Sequence, residues 1–265
     1  MALLSHARRY RATLAYVGTF FHGWQRQKNA ERTVQAVVEK ALTKIAGAPV
    51  TVHASGRTDM GVHADGQVVH FDLGGTLAPE RLRDGANALL PWDVKLLTVA
   101  QAAPGFHARR DAAWKEYLYR WSRAEVVAPR DALFVAPLAG RAEAAPMARA
   151  AKLLPGERDF GIFAVRLLKG ESGVRNLQSV TIEERGEEIW ARLCGDGFLR
   201  GMVRSICGVL ADVGRGTVPA ERVAELLETG DRRLLSKKAE ACGLSLVRVH
   251  YDPTGGRGDG VKLNR

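Results

Sequence analysis

Apolar positions recur along the chain with two alternating periods. Between Tyr10 and Val17 every second residue is apolar, which predicts a strand over about residues 9 to 17. Val34, Val37, Val38, Ala41, Leu42 and Ile45 then fall at helical spacing, with Thr33 placed to cap the start and Gly47 to end the helix. A short strand near 50 to 53 leads into a glycine-interrupted turn at 55 to 66. Val69, Phe71 and Leu73 alternate with Val68, His70 and Asp72, the period of a half-buried strand. Pro79 suits the first position of a helix that puts Leu82 and Ala86 on one side, and Val94 to Val99 predicts a further strand.

The second half repeats this order. A strand at 115 to 121 is followed by a long irregular connection and by a helix opened by Pro146, on which Met147, Ala150, Ala151 and Leu154 share a face. Strands follow at about 178 to 183 and 188 to 194. A helix from 198 to 213 carries Leu199, Val203, Ile206, Leu210 and Val213 on one stripe, another starts near Pro219, and Leu244 to His250 closes the series. Each half approximates strand, helix, strand, strand, helix, strand, the order of a ferredoxin-like unit. The expectation is an α+β fold in which two such halves, 1–105 and 106–252, join into one largely antiparallel central sheet flanked by helices. A cleft between the halves would hold the active site, and 253–265, rich in glycine, would form a flexible tail.

Composition turns this outline toward a polyanionic partner. Lys and Arg number 39 against 29 Asp and Glu, a formal charge of +10, and most of the excess is arginine, whose fork matches phosphate and base edges. No window of about 20 apolar residues spans a bilayer and no polybasic amphipathic stripe marks a membrane surface, so nucleic acid is the favoured partner. Cys194, Cys207 and Cys242 are too few and too scattered for a disulfide framework or a thiolate metal site, which points to a reducing, cytoplasmic compartment. Arg8, Arg9 and Arg11 sit beside a strand pattern instead of an apolar h-region, so no cleaved leader is expected.

Three stretches carry candidate chemistry. In Ser55-Gly56-Arg57-Thr58-Asp59-Met60-Gly61-Val62-His63-Ala64-Asp65-Gly66-Gln67, three glycines permit close approach of a ligand backbone, while Arg57, Asp59, His63 and Gln67 offer a phosphate or base contact, a carboxylate and further hydrogen bonds. The plainer reading is a loop in which Asp59 caps a turn and Arg57 is solvated. His63 with His53, His70 and Asp65 has no metal-binding helical spacing, so no metal is expected. Gly195-Asp196-Gly197-Phe198-Leu199-Arg200-Gly201 mimics a dinucleotide fingerprint, but Arg200 occupies the place of its third glycine. Arg200 and Arg204, four residues apart, flank the apolar stripe, where one of them would reach a carboxylate. In Phe106-His107-Ala108-Arg109 and Lys115-Glu116-Tyr117-Leu118-Tyr119, basic and aromatic residues mix; Tyr117 and Tyr119 point the same way, as base-stacking rings or as core aromatics.

These motifs resemble the TruA family of tRNA pseudouridine synthases from about residue 10 to 251. The most specific is Gly56-Arg57-Thr58-Asp59-Met60-Gly61-Val62-His63-Ala64. It is supported in order by Phe20-Phe21-His22-Gly23-Trp24-Gln25, the Phe106 and Lys115 stretches, Gly197-Phe198-Leu199-Arg200-Gly201-Met202-Val203-Arg204, and Gly243-Leu244-Ser245-Leu246. The resemblance implies that Asp59 is the catalytic aspartate, Arg57 the RNA-engaging arginine, Tyr117 the aromatic partner of the target base, Arg204 the partner of the aspartate, and Leu244 a wall of the pocket. His63, Gln67, Arg109, Lys115 and Arg200 are the further residues expected against the substrate.

The implied activity is isomerisation of uridine at positions 38, 39 and 40 of the tRNA anticodon arm, without cofactor, by a homodimer that holds the anticodon stem-loop and the elbow. Tyr16-Val17-Gly18-Thr19 and Arg158-Asp159-Phe160 depart from the family's usual Tyr-Asp-Gly-Thr and His-Asp-Phe, which touches local loop contacts and none of the residues given chemistry. The rival classes are a metal-dependent RNA phosphodiesterase built on Asp59, His63 and Asp65, and a non-catalytic tRNA-binding protein or chaperone.

Overall fold

The structure is a computed structural model that describes residues 7–27, 29–30, 32–138, 140 and 142–252; the tail expected from residue 253 lies outside the described residues. In chain order the elements are β1 (Arg8–Tyr16), α1 (Val34–Ala46), β2 (His53–Ala54), β3 (His63–Leu73), α2 (Pro79–Leu89), β4 (Val94–Gln101), β5 (Ala112–Ser122) and β6 (Ala136–Pro137). They continue with α3 (Ala144–Ala151), β7 (Gly156–Asp159), β8 (Val174–Arg185), β9 (Glu188–Gly195), α4 (Met202–Gly214), α5 (Arg222–Thr229) and β10 (Leu244–Tyr251). The fold is mixed α+β, with sheet strands covered by helices. No described helix is long and apolar enough to cross a membrane. The chain divides into two compact units, one running to Ala113 and resuming at Leu246, the other from Trp114 to Ser245. Chain order alone assigns the whole last strand to the second half, whereas compactness groups its residues from Leu246 onward with β3, their sheet neighbour.

In the first unit the strands run β4-β1-β3-β10, with β2 added on β3. β1 lies antiparallel between β3 and β4 and turns Tyr10, Ala12, Leu14 and Tyr16 into the core, Tyr10 stacking on Phe71 with ring centroids 5.9 Å apart. The helix signals act as read. Thr33 accepts the Ala36 N–H at the start of α1, Gly47 ends it at φ 67, and α2 begins on Pro79 and buries Leu82 and Ala86.

β3 departs from its pattern. It begins at His63, inside the stretch expected as a turn, and it is buried on both faces, where alternation suggested one. The cause is the segment after β4, which folds over the face away from the helices. Ala102 N–H reaches the Arg9 carbonyl at 2.9 Å, Arg9 donates to the Phe106 carbonyl, Ala108 N–H donates to His70 Nδ1 at 3.1 Å, and Tyr251 donates to the Ala108 carbonyl at 2.6 Å. Among these contacts the Ala108 N–H satisfies Nδ1 of the buried His70.

In the second unit the order is β5-β9-β8-β7, with β6 parallel to β5. β5 points Lys115, Tyr117, Tyr119 and Trp121 to its buried side, and β9 sets Leu193, Ala191 and Ile189 opposite Tyr117, Tyr119 and Trp121. The small Ala191 beside Tyr119 leaves room for a ring that is fully buried. One strand here went unread in the sequence, and one expectation fails. The short β7 pairs with β8 although Gly-Glu-Arg-Asp carries no apolar alternation, because its side chains are exposed and only backbone pairing holds it. α4 starts at Met202 and not at 198: Gly201 is left-handed, at φ 76, and residues 198–200 form the turn before it. Leu199 and Arg200 therefore stand outside the helix. α4 is also buried nearly all round instead of along one stripe, since α3 packs on one side and a chain segment on another, with Gly208 so close to the Lys237 carbonyl that a side chain has no room.

Candidate active site

Asp59 sits half-exposed on the loop between β2 and β3, in the first unit. Its neighbours are held from beneath by buried polar groups. The Gln67 amide, fully buried, donates to the Gly56 carbonyl at 2.8 Å and to the Tyr16 hydroxyl at 3.4 Å, and its oxygen accepts from Ser55 Oγ at 2.8 Å. The Tyr16 hydroxyl also shares a hydrogen bond with Thr58 Oγ1 at 2.9 Å. Burial pushes the Tyr16 pKa up to about 12, so the phenol stays neutral at any physiological pH.

A second brace comes from the loop after β1. Trp24 N–H donates to the Thr58 carbonyl at 3.1 Å, Gly61 N–H to the Phe21 carbonyl at 3.4 Å, and Gly18 N–H to His63 Nδ1 at 3.1 Å. Gly23, at φ +86, passes so near that a Cβ would lie 2.8 Å from the Thr58 carbonyl, and a Cβ on Gly18 would run into the Val62 carbonyl. The glycines of both loops thus permit one backbone to lie on the other. The result is a carboxylate on a backbone that has little freedom, flanked by the exposed Arg57 and Met60.

His63 and Gln67 were expected against the substrate; both are buried in this brace, with His63 Nδ1 and all the amide atoms of Gln67 engaged. Ser55, Tyr16 and Thr58 complete it and were not singled out from sequence. A tyrosine at the inward-facing end of a core strand is the signal that would have found Tyr16.

The second unit presents the other expected residues. Tyr117 is 7% exposed and meets the Phe198 ring edge-on at 5.0 Å, while Tyr119, deeper in the core, donates to the Glu240 carbonyl at 2.8 Å. Both rings are buried, Tyr117 less completely than Tyr119. Lys115 is buried on the same strand face, and Leu244 is buried at the start of β10. Arg204 donates from Nε to the Ala239 carbonyl at 2.8 Å, which tethers the guanidinium, and its backbone carbonyl accepts the Ala239 N–H at 3.0 Å. Arg200 is exposed in the turn before α4, so the two arginines do not share a helix face as expected. Asp196 accepts the Asn176 N–H at 3.0 Å, a structural use of the fingerprint-like stretch. Arg109 is exposed in the first unit, and its N–H donates to His107 Nδ1 at 3.1 Å.

His53, His70 and His107 form a cluster beside this turn. His53 stacks on His70 at 4.9 Å and His107 lies 4.6 Å from it. Desolvation by burial, then the charges of His107, His53 and Arg9, lower the His70 pKa to about 4, with Asp72 opposing. The His70 ring is therefore neutral near neutral pH. Among the described residues no group of three His, Cys, Asp or Glu is placed to hold a metal ion.

A basic α+β chain with an aspartate on a doubly braced glycine loop, beside the exposed Arg57, fits the class of enzymes that modify RNA. Comparison with known proteins gives the particular family. The model for tRNA pseudouridine synthases matches residues 12–109 and 150–252, and the chain belongs to that family, in its TruA group. A tRNA pseudouridine synthase A from Pelobacter propionicus is 41% identical over 244 residues, covering 92% of this chain and 100% of that one. Proteins with the same name from Solidesulfovibrio magneticus (43% identical, 93% of this chain and 92% of that one) and Listeria welshimeri (40% identical, 92% and 99%) are also similar.

Proposed function

We propose that the protein isomerises uridine to pseudouridine at positions 38, 39 and 40 of the tRNA anticodon arm, with Asp59 as the catalytic residue and without metal or organic cofactor. The observation that carries this reading is the brace under Asp59: buried side chains and close-lying glycines hold the loop backbone while the carboxylate itself stays half-exposed. A carboxylate kept at the surface by that much buried hydrogen bonding suits attack on a bound molecule better than it suits a turn cap.

Uridine and pseudouridine are isomers, so no redox carrier and no energy donor is needed. The bond from N1 to C1′ breaks, the uracil turns, C5 bonds to C1′, and C5 gives up its proton while N1 gains one. An ionised carboxylate serves at C1′ or C6 as a nucleophile, or at C2′ as a base, and each route needs it charged and fixed in position. Tyr117 would stack on the target base, Arg57 would hold the backbone of the extruded nucleotide, and Arg204, tethered by Ala239, would keep Asp59 ionised. Leu244, Lys115, Arg109 and Arg200 would add contacts to base and phosphates, while His63 and Gln67 would act by positioning the loop.

The same reading takes each half as a ferredoxin-like unit. Strands β4-β1-β3 with β2 on β3 fit that order, and β9 between β5 and β8 fits it in the second half. It further takes the working enzyme as a cytoplasmic homodimer that grips the anticodon stem-loop and the elbow. The phosphodiesterase alternative would need His63 as a metal ligand, and its Nδ1 already accepts the Gly18 N–H.

The test is incubation with unmodified tRNA followed by nucleoside mass analysis with position mapping. Pseudouridine should form with wild type, while Asp59→Asn should abolish release of tritium from 5-tritiated uridine with tRNA affinity kept within about tenfold. Turnover near wild type in Asp59→Asn, or RNA chain cleavage sensitive to chelator, overturns the proposal.

A further inference from the structure

Two large exposed apolar side chains stand together near the catalytic loop. Phe20 is 47% and Trp92 71% exposed, and their rings meet edge to face with centroids 5.9 Å apart and planes at 68°. In that arrangement each ring covers at most one face of the other. Single exposed apolar residues need no explanation, but the backbone under this pair is tied together by one arginine.

Arg32 forms a bidentate bond to Asp93, 2.8 Å from each nitrogen to a carboxylate oxygen, and Asp93, next to Trp92, is buried. The same guanidinium donates to the Phe20 carbonyl at 3.4 Å and lies 4.1 Å over the Phe21 ring. Val17 N–H reaches the Asp93 carbonyl at 3.0 Å and His22 N–H the Arg32 carbonyl at 2.9 Å. One arginine thus ties the backbone of Phe20 to the turn that carries Trp92. The platform is also continuous with the catalytic loop, because Phe21, the next residue, accepts the Gly61 N–H two residues beyond Asp59.

We propose that Phe20 and Trp92 form a stacking platform for a nucleobase of the tRNA, near in the strand to the uridine that Asp59 engages. The inference rests on the tRNA reading above. The occupant follows from chemistry: the chain carries a formal charge of +10, Arg57 is exposed on the adjoining loop, and whatever reaches Asp59 brings neighbouring nucleotides with it. Every base has a π-face, so aromatic stacking tolerates changes of sequence. That tolerance suits an enzyme acting at three successive positions, where the flanking base changes identity each time.

The experiment measures binding of the full chain to anticodon stem-loop RNAs for wild type, Trp92→Leu and Trp92→Tyr, across a salt series. Leucine keeps an apolar side chain and removes the ring, so it should weaken binding on the order of tenfold, while tyrosine stays near wild type. The slope of affinity against salt should not change, since no phosphate contact is lost. In a set of RNAs that each lack one base, the effect of Trp92→Leu should vanish for one position. Equal affinity of Trp92→Leu and wild type, a loss of the same size for every abasic RNA, or a change of oligomeric state with affinity unchanged overturns the platform. A wild type that forms no pseudouridine in tRNA sinks the parent reading whatever Trp92 does; an active wild type with Trp92→Leu indistinguishable from it sinks only this one.

Discussion

Gln67→Leu separates a loop brace from a substrate contact. The amide is fully buried and makes two bonds of 2.8 Å, from Ser55 Oγ and to the Gly56 carbonyl, and a longer one to Tyr16. Leucine fills nearly the same space, so the cost comes from the partners left behind and not from a cavity. Ser55 is fully buried and loses the acceptor for its hydroxyl, which costs about 1–3 kcal/mol; Gly56 is only partly buried, water can reach its carbonyl, and the lower end of the range applies there.

Together these give a loss of about 2–4 kcal/mol, or a fall in Tm of about 5–10 °C for a chain of this length. Adding Ser55→Ala removes the hydroxyl that Gln67 no longer accepts from and should return about 1 kcal/mol. With the backbone under Asp59 loosened, kcat should fall about 10- to 100-fold while KM moves little, because a displacement near 1 Å costs about that much in an oriented reaction. Thermal unfolding followed by circular dichroism gives the first quantity, and tritium release from tRNA the second. An unchanged Tm with a raised KM would refute the reasoning and make Gln67 a substrate contact.

Other expected outcomes follow from single contacts. His70 has its folded pKa lowered from 6.5 to about 4, so the unfolded chain takes up a proton first as pH falls. Its contribution is complete above pH 6.5 and is lost on the way down to about 4, roughly 3 kcal/mol at about 1.4 kcal/mol per pH unit. His70→Gln, which keeps an acceptor for Ala108, should flatten urea-derived stability across that window, and an unaltered slope would place the acid sensitivity elsewhere. Arg204→Lys should lower turnover more than tRNA affinity, because lysine lacks the planar fork that Ala239 tethers; weak binding with intact turnover would put Arg204 on the RNA. Thr33→Ala should cost about 1 kcal/mol by removing the cap of α1, read as a shift in urea midpoint with unchanged slope.

Local signals written in the chain were read correctly where local physics decides. The alternation of β1, the cap and stop of α1 at Thr33 and Gly47, and Pro79 at the head of α2 all depend on residues within a few positions of one another. The glycine loop around Asp59 was legible for the same reason, since its residue types are close in sequence. What needed the tertiary structure involves partners far apart. β3 is buried on both faces because residues 102–111 return over it, and α4 is covered on a second side by the chain near Lys237. Gln67 and His63 stand close to Asp59 in the chain, but their hydrogen-bond partners include Tyr16, 51 residues before Gln67, and Gly18, 45 before His63. Chain order thus determined most of the elements and the glycine loop around Asp59, and long-range packing decided which polar groups there are buried in hydrogen bonds, because burial and hydrogen-bond satisfaction are properties of the whole folded neighbourhood.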